Sequence, residues 1–345
     1  MHHRNAIPKP AARDFANTVP YPAAHRDSSI LATGTINRWI APGNANCYNC
    51  RAVSTQIMKT LHTISFFLFL LSNSLSGQVK GTITDKTTGQ PIQFANVFLK
   101  DKPIGATTDL NGNFEIKSIP ADYILIVSAI GYESRQFNAS TETIKIQLAP
   151  KTYELSGIIV KPQRNKARLT IETYNKNKIH NYFGCGGYPW IVAKYFEYKP
   201  EYYSTPRLNQ IKILTSASSA ETVIFNFRLL TVQEDGSPGR DLLDKNLIVK
   251  AQSGVNKNTI IDLSSYNLTF PQTGFMIAVE WLIIDQNKFD WKGSVQYLPQ
   301  FGTVIKEGEC KTWNYVGGKW FRTTLMPPTE KNKYKVLAAE LTLTN

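Results

Sequence analysis

Histidine, cysteine and long apolar runs are all scarce in this 345-residue chain, and each shortage excludes something. Of its five histidines only His180 lies beyond residue 77. A carboxypeptidase-type zinc centre takes two His and a Glu and leaves one coordination position open. With one His and no H-x-x-E…H arrangement downstream of residue 77, zinc peptidase chemistry is all but excluded. No G-x-S-x-G elbow, Walker loop or dinucleotide-binding glycine fingerprint occurs either. No cofactor and no metal are expected.

The apolar run Leu61–Leu71 is too short for a spanning helix, which needs about 20 residues. It follows Met58-Lys59 and precedes the small-residue stretch Ser72–Gly77, the order of a secretory signal. Position 78 is Gln where a lipobox would require Cys, so cleavage near Gly77 by the ordinary signal peptidase is expected. Residues 58–77 are thus read as a signal peptide. Residues 1–57, without helix or strand period, are read as a disordered, spurious extension upstream of a true start at Met58. A genuine disordered tail before a signal anchor is the alternative. The mature chain is expected to carry no transmembrane segment and to reside in the periplasm, on the outer-membrane surface or outside the cell.

Cys47 and Cys50 form a lone C-x-x-C pair in the upstream segment, without a second half or a thioredoxin-like context. Beyond it only Cys185 and Cys310 remain. Two cysteines in an exported chain are consistent with one disulfide or with two inert thiols. A third reading makes Cys185 a nucleophile beside His180, on the glycine-rich stretch Phe183–Gly187, although five residues is no recognised spacing.

Net charge is +13 for the whole chain, and +8 beyond residue 77, where 32 Lys/Arg face 24 Asp/Glu. The basic residues are scattered except in Lys161–Arg168 and Lys331–Lys335. Nucleic acid would require a coherent basic stripe with stacking aromatics, so no nucleic-acid partner is expected. Attraction to an anionic envelope polymer or lipid surface is consistent with the charge.

Short β-patterned segments closed by turns fill Gln78–Leu148. Gly81–Asp85 leads to a turn at Thr87-Thr88-Gly89, and Gln90–Leu99 follows. Gly105–Ile116 forms a second hairpin about Asp109–Gly112, whose Asp and Gly suit a tight turn better than a calcium loop. This spacing argues a small all-β sandwich. The residues that stand out are Gly81, Asp85, Gly89, Pro91, Ala95, Val97, Thr107-Thr108-Asp109, Gly112, Phe114 and Gly131-Tyr132. In that combination the segment resembles the carboxypeptidase-regulatory-like domain, a transthyretin-like seven-stranded sandwich common on surface proteins of the Bacteroidota. The resemblance covers about a fifth of the chain and implies a domain that is not itself a peptidase. Asp122 departs from it, standing where Gly is usual before the aromatic.

In transporters with a similar N-terminal part a plug and a membrane barrel would follow. Too few residues remain for them, and the serial strands of about ten residues that a barrel needs are missing. One more strand is expected at Glu154–Val160. After a connecting segment at 151–207, residues 208–345 read as a second sandwich. Val223, Phe225, Phe227 and Leu229 alternate onto one face, and Phe275–Ile284, apolar on both sides, is expected to be central. The segments Phe227–Leu230, Ser237–Leu243, Asn246–Val249, Ile261–Tyr266 and Phe275–Trp281 resemble a jelly-roll-like region found behind the regulatory-like domain in exported Bacteroidota proteins. Arg228 and Glu280 either pair between strands or reach solvent at sheet edges.

The expected fold is therefore all-β, a transthyretin-like sandwich at 78–150 followed by a second sandwich. The expected function is that of a non-enzymatic exported envelope or surface module, binding or structural, with cell-surface polysaccharide or other envelope proteins as partners. Trp291, Trp313 and Trp320 are the candidate sugar-stacking aromatics, although large rings more often pack in cores. A secreted hydrolase, using Cys185 or a carboxylate pair such as Asp241 and Asp244, is the alternative.

Overall fold

The computed structural model describes residues 77–119, 123–139, 143–151, 167–219, 221–322 and 332–345. The upstream extension, all of the proposed signal peptide but Gly77, the Cys47/Cys50 pair, Asp122, the strand at 154–160 and most of the basic stretch 161–168 lie outside them. The described residues are almost all in strands and turns, with a few single 3-10 turns. Among them no helix is long and apolar enough to cross a membrane.

The first sandwich comprises β1 (Gly77–Asp85), β2 (Asn96–Leu99), β3 (Gly105–Thr107), β4 (Asn113–Ile119), β5 (Tyr123–Ser128), β6 (Arg135–Ala139) and β7 (Ile144–Leu148). They form two sheets, β4-β1-β7 and β3-β2-β5-β6. Val79, Ile83, Val97, Leu99, Phe114, Leu125, Val127 and Ile146 fill the space between, each alternate in its strand. Two of the residues that carry the family resemblance have visible reasons. A Cβ on Gly81 would lie 2.4 Å from the Ile144 carbonyl oxygen of the neighbouring parallel strand. Gly112 holds φ at +74° to close the β3–β4 turn, where the Asp109 carboxylate accepts from the amides of Asn111 and Asn113, each at 2.8 Å.

The second sandwich begins earlier than its expected start at residue 208. Chain order gives β8 (Arg168–Ile171), β9 (Tyr182–Cys185), β10 (Ile191–Phe196), β11 (Arg207–Ala217), β12 (Ile224–Val232), β13 (Pro238–Asp241), β14 (Leu247–Lys250) and β15 (Gly254–Asp262). They are followed by β16 (Phe275–Trp281), β17 (Lys288–Trp291), β18 (Ser294–Glu307), β19 (Thr312–Val316), β20 (Lys319–Arg322), β21 (Lys333–Leu337) and β22 (Ala339–Thr344). One sheet runs β13-β12-β16-β10-β19-β20 with β14 also on β12, and the other runs β17-β18-β11-β22-β8 with β9, β15 and β21 attached. The stretch read as a connector thus supplies three strands. β8 pairs with β22, 170 residues away in sequence (Leu341↔Ile171), a partnership that no local pattern announces.

The central strand is as expected. β16 is buried along its whole length and lies between β12 and β10. Val223, Phe225, Phe227 and Leu229 all point into the core between the two sheets, with Trp281, Phe275 and Phe301. Trp281 is fully buried, stacks on Trp190 at 4.9 Å and donates its indole N–H to the Pro299 carbonyl at 2.7 Å.

The described residues form one compact unit, because the two sandwiches share an interface. The outer face of β2 and β5, with Asn96, Phe98 and Ile126 buried, lies on the outer face of β12, β16 and β19. Phe98 meets Tyr315 edge-on at 5.4 Å, and Ile283 N–H donates to the Thr107 hydroxyl at 3.1 Å. Asn96 donates to the Glu280 carboxylate, which also accepts from Asn226 at 2.8 Å. Arg228 lies half-buried beside it, giving two 2.8 Å hydrogen bonds to Asp241 and lying 3.7 Å from Glu280. The Arg228–Glu280 ambiguity therefore resolves as a pair between strands, Glu280 buried and Arg228 half-buried. Four β layers result, with a charged, hydrogen-bonded seam in the middle.

Candidate functional site

The first sandwich covers only part of the outer face of the seven-stranded sheet. Register assigns the residues of that face: Ile191 opposes Tyr315 and Ala193 opposes Trp313, while Tyr315 opposes Trp320 and Trp313 opposes Arg322 across the β19–β20 hairpin. At the Tyr315 end the hairpin is docked on the first sandwich, where Gly317 C=O accepts from Asp101 N–H at 3.0 Å and Lys319 pairs with Asp101 at 2.6 Å. At the Trp313 end the face is open. Tyr195, Met276, Val232 and Trp313 form an apolar and aromatic floor there, inside a cleft of about 330 Å3. Gln233, Glu234, Thr273, Glu309, Lys311 and Arg322 form its polar rim. The Arg322 guanidinium lies 5.2 Å from the Trp313 ring centre and the Lys311 ammonium 5.4 Å from that of Tyr195.

The three candidate tryptophans fall in three different places. Trp313 lies on the cleft floor. Trp320 is half-buried against Tyr315, 5.2 Å away, toward the docked end. Trp291 belongs to the other sheet, 61% exposed at the tip of the β17–β18 hairpin with the Lys292 ammonium 5.9 Å from its ring.

The disulfide expectation is corrected. Cys185 is registered opposite Tyr297, whereas Cys310 follows the end of β18 at Glu307. Ten strand residues at ~3.3 Å each separate those points by about 30 Å along the chain, against the ~7 Å Cα separation that a disulfide permits. The two thiols are not joined. Cys185 is also no exposed nucleophile on a flexible loop. It is buried on β9, its thiol donates to the Tyr188 carbonyl at 3.0 Å, and burial pushes its pKa up to about 11. Nucleophilic cysteines require the opposite shift. His180 is exposed, and the Asp241 carboxylate is engaged by both nitrogens of the Arg228 fork rather than by a partner acid.

One group escaped the sequence reading. Lys194 sits within the apolar run Ile191–Phe196 and is fully buried between the sheets. Its ammonium donates to the Ala339 carbonyl at 2.6 Å and lies 3.2 Å from Glu172 Oε2. Lys306 donates to that same oxygen at 2.5 Å. Burial lowers the Lys194 pKa to about 8, opposed by Glu172 and reinforced by Lys306. Burial by itself would raise the Glu172 pKa, but the two lysines outweigh it and hold the carboxyl below its usual value. Glu172 reaches them from a left-handed backbone, φ +56°, at the end of β8, an uncommon conformation for a side-chain-bearing residue. The cluster floors a second cleft, of about 260 Å3, walled by Tyr195, Tyr334 and Val336. A charged residue inside an apolar strand was the available signal. Its partners, 22 and 112 residues away in sequence, were not.

Comparison with known proteins bears on the N-terminal part. Residues 79–160 match the CarboxypepD_reg-like domain family, so the chain carries that domain. Over 106 residues the chain is 32% identical to the TonB-dependent receptor SusC of Bacteroides thetaiotaomicron, covering 30% of this chain and 10% of the receptor. It is 21% identical over 277 residues to Bacillopeptidase F of Bacillus subtilis, which covers 73% of this chain and 16% of the peptidase. The matches thus span between a tenth and a sixth of these two relatives' length. Among solved structures, a DUF3823 family protein from Parabacteroides merdae is 10% identical, with coverage of 75% of this chain and 98% of that one and a TM-score of 0.18.

Proposed function

We propose that this chain is a non-enzymatic module of the bacterial envelope that binds glycan in the cleft floored by Trp313 and Tyr195. The observation that carries the reading is the open end of the seven-stranded sheet: an aromatic and methionine floor, a rim of six polar side chains, and a fold that occupies the rest of that face. Such a floor stacks on the apolar face of a sugar ring while the rim hydrogen-bonds its hydroxyls. The envelope setting is supported by the regulatory-like domain and by its similarity to a TonB-dependent receptor. Export through residues 58–77 fits the same setting. The non-enzymatic part is supported by where the chemical groups lie: one thiol is buried and held protonated, and Asp241 is tied to Arg228. A glycan array probed with the purified protein tests the proposal. Retention of a sugar class that is lost with Trp313→Ala, but kept with Trp291→Ala, is expected. Binding that survives Trp313→Ala unchanged counts against this cleft.

A further inference from the structure

The Lys194 cleft adjoins the aromatic cleft, and Tyr195, Glu309 and Lys311 line both. Its rim charges pair off: Lys311 with Glu197 at 3.2 Å, Arg322 with Glu309 at 2.6 Å and Lys333 with Glu307 at 4.0 Å. The floor does not balance. Two ammonium groups, Lys194 and Lys306, converge on one oxygen of one carboxylate, Glu172. The next acid, Glu340, is engaged by Lys212. Among the described residues the floor therefore holds one more positive charge than negative. The buried ammonium, Lys194, takes Glu172 and the Ala339 carbonyl, so the surplus charge falls on the partly exposed Lys306, which lines the cleft and whose partner would be a single anionic group entering from it.

We infer that this floor is a binding site for the carboxylate of an acidic sugar, held by Lys306 and Lys194, while the adjoining aromatic cleft holds the ring of the neighbouring sugar unit. The two clefts then form one groove for an acidic oligosaccharide. This rests on the glycan-binding reading and names its ligand class. The single excess charge matches a monoanion such as a uronate. The tyrosine walls, Tyr195 and Tyr334, suit the carbon face of a sugar ring better than a bare inorganic ion. Glu172 is a positioning residue: its carboxylate sets the two ammonium groups side by side.

The test is isothermal titration calorimetry of the purified protein with glucuronate-containing oligosaccharides and with the same oligosaccharides after reduction of their carboxyl groups. NMR observation of the Lys194 ammonium accompanies it. The acidic form is expected to bind about tenfold tighter, the scale of one hydrogen bond to a charged group. Lys306→Met should abolish that preference and Lys306→Arg should retain most of it. Lys306 is partly exposed, so these variants are expected to fold. Equal binding of acidic and reduced forms overturns the inference and leaves the glycan reading standing. Binding of neither form defeats the glycan reading, and sodium glucuronate alone then decides the floor. A ligand-dependent change in the Lys194 titration supports an anion site, and none at millimolar glucuronate overturns it.

Discussion

The two faces of the seven-stranded sheet each hold a cation, Lys194 fully buried and Arg228 half-buried, and they treat it in opposite ways. On the outer face Arg228 presents its planar fork to Asp241 and lies beside Glu280, so one guanidinium meets two carboxylates. Burial by itself would lower its pKa, but the two acids more than reverse this and hold it charged. On the inner face Lys194 shares a single carboxylate with Lys306, and its pKa falls. The first arrangement is saturated and seals the two sandwiches together. The second is short of an acid and opens onto a cleft. The full pairing suits a structural seam, and the incomplete pairing is the observation on which the proposed anion site rests.

The largest expected effect breaks the seam. Arg228→Ala leaves buried Glu280 and half-buried Asp241 without their cation and should cost about 3–5 kcal/mol, measured by chemical denaturation. A loss below about 1 kcal/mol would mean that the outer-face network does not hold the sandwiches together.

The inner face should respond the other way. Lys194→Met removes a buried charge that is incompletely paired, and should leave stability at pH 7 unchanged or raise it by about 1 kcal/mol. The pH dependence sharpens this. Lys194 titrates near pH 8 in the folded protein, against roughly 10.4 when unfolded. Between those values the unfolded chain binds more protons, so this group makes the folded state gain stability as pH rises, by at most about 1.4 kcal/mol per pH unit. Denaturation of wild type and Lys194→Met at pH 7 and pH 9.5 isolates the contribution. The variant's advantage should shrink at the higher pH, and an advantage that grows would reverse the assignment.

A smaller effect separates the aromatics. Trp291, at an exposed hairpin tip, should change stability by less than about 0.5 kcal/mol when replaced by Ala. Trp313, half-buried beneath Arg322, should cost more, about 1–2 kcal/mol. Equal costs would erase the difference between floor and tip. The smallest effect concerns the thiols. Non-reducing peptide mapping should show no Cys185–Cys310 link, and Cys185 should resist alkylation until the protein is unfolded. A recovered cross-linked peptide would overturn the strand register given for β9 and β18.

Much of the fold was legible because strands report themselves through a two-residue period. The alternation Val223, Phe225, Phe227, Leu229 names the inner face, and the doubly apolar Phe275–Trp281 names a central strand. Asp109 and Gly112 name a turn through backbone chemistry confined to four residues. The connector at 151–207 misled because its strands find partners far along the chain, β9 on β18 and β8 on β22. An even number of cysteines says nothing about distance in space, and so the disulfide expectation failed.

Local chemistry therefore determined the all-β class, the regulatory-like domain and the orientation of individual strands, since each depends on neighbours within a few residues. Only the tertiary structure decided which tryptophan lines a cleft, which acid meets which base, and that Lys194 and Lys306 compete for Glu172. Those outcomes depend on register between strands more than a hundred residues apart and on the desolvation of charges. Both belong to the assembled layers, where a shift of one residue would turn every side chain to the opposite face.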